Sequence, residues 1–208
     1  MMSRAPAIFF ISLAACGSGT GPLFGGFTPT SGAAVILAPS TCDIPSLGGS
    51  TAISGILIEL TSGADACNVL TQAKQCGTGS GSATLLAAAL SGVVGGSTVD
   101  PAGPGTYPWL PNPPTGTFKA STTAAAQVDA VCASAPGYPT HMSSGSVAIS
   151  SVTASTVSGT MDVHFDHGQA YTHSFDVPVC SVSIDICSLF RPCPTPPGGG
   201  SSYRCVPP

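Results

Sequence analysis

The sequence predicts an all-β chain, an antiparallel β-sandwich stabilised by disulfides, with a small β-barrel as the alternative. Three observations predict it. Short apolar segments alternate with period two between turn residues, in a chain of 208 residues with 26 Gly and 20 Pro. Many short strands cut by turn signals are the mark of a sandwich or barrel. Charged residues make up only 7% of the chain, where a soluble domain carries about 25%, and coiled coils and helical bundles need more still. Nine cysteines point to a disulfide framework outside the reducing cytosol.

The same figures exclude whole classes of function. Five Lys/Arg against nine Asp/Glu leave a net charge of −4, so no basic patch exists to neutralise a phosphate backbone, and nucleic acid is not a partner. With 43% apolar residues, charge-driven disorder is also excluded.

Along the chain, Ala5–Ala15 is an apolar run too short to span a bilayer, which needs ~20 residues. It suits the apolar region of a secretory leader. The run ends in Leu13-Ala14-Ala15-Cys16, which resembles the lipobox of bacterial lipoproteins. The resemblance implies cleavage before Cys16, acylation of its sulfur and amine, and stable anchoring by more than one chain. Gly17 in place of Asp implies, in Gram-negative lipoproteins, export to the outer membrane. The expected organisation is a leader over 1–15, a flexible tether over 16–32, a sandwich over 33–190 and a Pro/Gly-rich tail over 191–208.

Residues 33–38 (AAVILA) read as a short strand. Thr51–Thr61 alternates, with Ile56, Ile58 and Leu60 on one face and Gly55, Leu57 and Glu59 on the other. Ala83–Leu90 is apolar throughout; the Gly, Ser and Thr around it argue for a buried strand rather than a membrane helix. Pro101–Pro114 reads as a long loop whose Tyr107 and Trp109 close the end of the sandwich. Gly116–Thr122 reads as a strand, while Ala124–Cys132 fits helix or strand.

Ser146–Cys180 is the most legible stretch. Val147 and Ile149 alternate, a Ser/Thr-rich turn follows Val152, and two further strands flank Asp166-His167-Gly168. A three-residue loop with Gly in its left-handed last position fixes the register. It sets Phe165 opposite Gln169, then pairs Val163–Tyr171, Met161–His173, Gly159–Phe175 and Val157–Val177. One face then collects Val157, Met161, Val163, Phe165, Tyr171, Phe175 and Val177, and the other collects Ser158, Thr160, Asp162, His164, Thr172, Ser174 and Asp176. A two-residue turn would scramble the faces. The hairpin also resembles those of secreted and lipid-anchored bacterial β-sandwich proteins, a likeness that carries no catalytic residue.

Removing Cys16 to lipid leaves Cys42, Cys67, Cys76, Cys132, Cys180, Cys187, Cys193 and Cys205, an even number that permits four disulfides. Their spacings lack the close pairs of structural zinc sites. Four of them crowd into 180–205, a segment with little else to order it, so disulfides are expected to staple the tail. Connectivity is not deducible from spacing.

His164, Asp166, His167 and His173 carry the donor chemistry for a metal. The register sends His164 and His173 to opposite faces, leaving His164, Asp166 and His167 at a hairpin tip, too few to build a site. His173 is expected to be partly buried beside Met161 and Tyr171. No nucleophile elbow, phosphate-binding loop or paired carboxylates occur, so no catalytic residue and no cofactor is assigned. The reading is a lipid-anchored cell-envelope protein, facing the periplasm or the surface, that binds or scaffolds an envelope component without catalysis. The alternative is a carrier holding a small apolar ligand between sheets or within a barrel.

Overall fold

The computed structural model describes residues 27–44, 49–63, 65–68, 83–94, 102–111, 118–128, 140–166, 168–185 and 187. Eight strands follow in order: β1 (Ser31–Ile44), β2 (Gly49–Thr61), β3 (Ala83–Val94), β4 (Gly105–Pro108), β5 (Phe118–Val128), β6 (Thr140–Val152), β7 (Thr156–Phe165) and β8 (Ala170–Pro178). They form two antiparallel sheets. The first runs β1-β2-β3-β5 and the second β4-β6-β7-β8. The sheets are joined where the start of β6 pairs with β5 at Ala124–His141 and Ala125–Thr140. The barrel alternative does not form. At the other side β1 and β8 meet through a single parallel bridge, Ala34–Val179.

The layer between the sheets is filled by alternate residues of each strand. Ile56, Ile58 and Leu60 of β2 and Leu86, Ala88 and Leu90 of β3 face Val147, Ile149, Val157, Met161 and Val163 of the second sheet. Each such aliphatic side chain contributes about 1.5–3 kcal/mol on burial. Tyr107 is fully buried in this layer and Trp109 packs against it, so the aromatics of the Pro-rich segment close the sandwich as expected.

The hairpin follows the register that the turn dictates. Val157–Val177, Gly159–Phe175, Met161–His173 and Val163–Tyr171 are all paired. Phe165 N donates to Gln169 O (2.8 Å), Gly168 N donates to Phe165 O (3.0 Å), and Gly168 has φ of 77°. All seven residues of the expected apolar face are buried. At the β6–β7 turn, Thr153 Oγ1 accepts from Ser155 N (3.2 Å) and Thr156 N (2.9 Å), the side chain standing in for a backbone turn.

Several elements depart from expectation. β1 is far longer than residues 33–38, and residues 27–30, within the expected tether, pack on the fold. Phe27 sits 5.5 Å from the Tyr171 ring and Thr30 N donates to Thr61 O (2.9 Å). Part of the Pro-rich segment forms β4, paired with β6 from Gly105–Ile149 to Pro108–Ser146, and Tyr107 Oη donates to Gly103 O (2.6 Å) just before the strand. The ambiguous 124–128 is strand, paired with β3 from Ala83 to Ala87.

Candidate functional site

The first sheet is apolar on both faces. Alternation along β1 and β2 puts Ala34, Ile56, Ile58 and Leu60 inward. The opposite face of the same two strands carries Ala33, Val35, Leu37, Cys42, Ile53 and Leu57. That outer face is covered by the chain after β8. Val179 N donates to Ser155 O (2.9 Å), Cys180 N donates to Ala34 O (2.8 Å), and the chain thus crosses from one sheet to the other. Cys180, Val182 and Ile184 then point inward while Ser181, Ser183 and Asp185 are exposed. Two disulfides pin this strap, Cys67–Cys180 and Cys42–Cys187. A one-turn helical segment at 66–68 completes the cover, with Ala66 N donating to Ser31 Oγ (3.0 Å).

The expectation that little besides disulfides orders this part of the chain is therefore corrected for 180–187. Its own alternation buries a second small core. Cys76, Cys132, Cys193 and Cys205 lie outside the described residues, as do Cys16 and the tail over 191–208. Disulfides persist in oxidising compartments and not in the cytosol, so the folded chain belongs outside the cytoplasm.

On the covered face lies a side chain that sequence reasoning missed as a site. Glu59 is in register with Ala33 of β1 and Ala87 of β3, on the same face as Leu57. It is fully buried, and neither carboxylate oxygen has a hydrogen-bond partner among the described residues. Buried polar atoms are nearly always paired, so a bare carboxyl here is exceptional. Desolvation penalises the charged form, and burial pushes the Glu59 carboxyl up to about 8. At neutral pH it is a neutral acid, with one donor and spare acceptors but no partner for them among the described residues. The only sequence signal was indirect. Ile53 and Leu57 share its face, and a strand apolar on both faces is covered on both.

Among the described residues the metal candidates do not assemble. His164 is exposed, with Nε2 at 3.9 Å from Asp162 Oδ1, an oxygen that also accepts from Thr172 Oγ1 (2.9 Å). Asp166 is exposed on the turn, and His167 lies outside the described residues. Among the described residues no three His, Cys, Asp or Glu side chains converge. His173 is exposed rather than partly buried, lying 4.8 Å from the Tyr171 ring. It lies on β8, the last strand of its sheet. Lys119 is also used structurally. Its Nζ lies 5.2 Å from the Tyr107 ring centroid and donates to Pro104 O (3.1 Å).

No family model, curated protein or solved structure matches this chain. The buried polar side chains among the described residues are Thr51, Ser54, Glu59, Thr61, Ser121 and Thr123. They supply one carboxyl and hydroxyls, without the imidazole or second acid that general acid–base chemistry would draw on.

Proposed function

We propose that this protein is exported, acylated at Cys16 and held in the cell envelope, at the outer membrane, where it binds or scaffolds another envelope component without catalysing a reaction. The observation that carries this reading is the pair of disulfides across the fold. With Cys16 set aside for lipid, the remaining cysteines are even in number, and four of them are paired in the described structure. No helix among the described residues is long and apolar enough to cross a membrane. In this reading attachment is through the N-terminal lipid.

The entry and exit of the chain supply an orientation. Phe27 packs on Tyr171, close to the β7–β8 turn, so a membrane anchor upstream enters beside the hairpin tip. Cys187 is bonded to Cys42, ten residues along β1 from Gly32, or about 33 Å at the usual strand rise. In this reading the hairpin tip is the membrane-proximal end, and the Cys42–Cys187 bond lies farther out. The filled layer between the sheets, with Tyr107, Leu86, Leu90 and Met161 all fully buried, favours recognition through outer surfaces over carriage of an apolar ligand.

Expression in a Gram-negative host with labelled palmitate tests the proposal. The wild-type chain takes up label and sediments with the outer membrane, whereas Cys16→Ser is unlabelled and released in soluble form. An unlabelled wild-type chain would sink the reading.

A further inference from the structure

We propose that Glu59 makes the cover of the first sheet's outer face proton-dependent: the strap over residues 179–187 and the segment at 65–68 close only over a neutral carboxyl and lift when it ionises. The geometry carries the inference. A carboxylate without water or partner is among the costliest groups to bury, and Glu59 has neither exposure nor a hydrogen bond among the described residues. To ionise, it must meet water.

The elements around it offer no relief. On its own face β2 presents Ile53, Leu57 and Thr61, β1 presents Ser31, Ala33, Val35 and Leu37, and the register partners on β3 are uncharged. The charged groups on the neighbouring described segments are Asp43, Asp65 and Asp185, all exposed and all acidic. Lys119 of β5 is turned to the Tyr107 ring. Ionised Glu59 therefore gains no cation from the described elements.

Of the layers around Glu59, the cover is the easier to move. The sheet behind is knit by the β1–β2 and β2–β3 ladders, both regular around Glu59 from Gly55 to Thr61. The strap is held by the Ala34 O hydrogen bond, by Val182 and Ile184, and by its disulfides. The disulfides change what opening means. With Cys187 bonded to Cys42 of β1, a lifted strap stays tied to the sheet at its far end, while Cys67–Cys180 keeps it joined to the 65–68 segment, so the cover closes again as one piece when the proton returns.

The test is hydrogen exchange on the oxidised full-length protein, corrected for the intrinsic pH dependence of exchange. If only the neutral acid fits under the closed cover, the opening equilibrium rises about tenfold per pH unit above the ordinary carboxyl range. Between pH 6 and pH 8, protection at Ala66, Cys180, Val182 and Ile184 falls about 100-fold, while Val157–Val177 of the second sheet holds. Glu59→Gln abolishes the dependence. A fall that persists in Glu59→Gln, that spreads equally through the second sheet, or that does not occur overturns the proposal. A second readout needs no variant. Glu59 is the only glutamate in the sequence, so carbon-13 labelling of glutamate at Cδ gives one carboxyl resonance. Titration of that resonance in step with the loss of protection supports the device, and titration in the ordinary range of an exposed acid overturns it.

Discussion

Cys187 is bonded to Cys42 across 145 residues of chain, so the strand that opens the fold holds the segment that closes it. Cys67–Cys180 spans a further long loop, of 113 residues. Both bonds restrict the unfolded chain strongly, and a disulfide of this kind is worth about 2–4 kcal/mol.

Replacing Cys42 and Cys187 together by Ser therefore lowers the unfolding free energy by about 2–4 kcal/mol. Denaturant titration under oxidising conditions reads this. The same variant becomes sensitive to protease within 181–186, while β7 and β8 survive. An unchanged midpoint would mean that the strap does not depend on the bond.

The buried acid sets a pH dependence with a definite sign. Folded Glu59 keeps its proton up to about pH 8, whereas the unfolded chain releases it near 4.5. Between those values the folded state binds one more proton, so its stability falls as pH rises. The slope is about 1.4 kcal/mol per pH unit, or about 5 kcal/mol over the whole window. Below pH 4.5 this penalty is absent. Against a total of about 5–15 kcal/mol for a typical domain, denaturant midpoints measured from pH 5 to 8 drop visibly. Glu59→Gln removes that component of the drop, and equal slopes in the two proteins would contradict it.

Tyr107 works as a buried bracket. Its hydroxyl donates to Gly103 O at 2.6 Å and accepts from Gly103 N at 3.0 Å. Tyr107→Phe keeps the ring in the core and strands both partners, a cost of about 1–3 kcal/mol. Thermal unfolding checks this, and retention of the wild-type midpoint would count against the bracket.

Two glycines of one hairpin separate space from backbone freedom. A Cβ at Gly159 would collide with the Ala148 carbonyl oxygen and meet Phe175 Cζ at 3.0 Å, so Gly159→Ala costs about 1–3 kcal/mol through overpacking. At Gly168 nothing lies within 4 Å and φ is 77°, a conformation that Asn tolerates. Gly168→Asn is accordingly close to neutral. Comparable losses at both positions would refute this assignment.

How far the fold could be read from the residues follows from where its constraints are local. The β7–β8 register was legible because Gly168 fixed the turn and a one-residue slip would have put Phe175 on the face of Asp162 and His164. β4 was not legible, because it is only four residues long, sits in a proline-rich stretch and pairs with β6 about forty residues later. Glu59 was not singled out because strand alternation names two faces without saying that both are covered. The cover comes from the chain end more than a hundred residues later, and cysteine spacing does not specify such pairing. Even so, Cys180, Val182 and Ile184 alternate with Ser181, Ser183 and Asp185, a signal of burial that the neighbouring prolines and glycines obscured.

Intact-mass measurement of the unreduced protein purified from its native host tests the lipid-anchored, oxidised account most directly. The account predicts a chain beginning at Cys16, heavier by its acyl groups and lighter by two hydrogens for each disulfide, Cys42–Cys187 and Cys67–Cys180 among them. A chain that still carries residues 1–15, bears no lipid and has all its thiols free would contradict it.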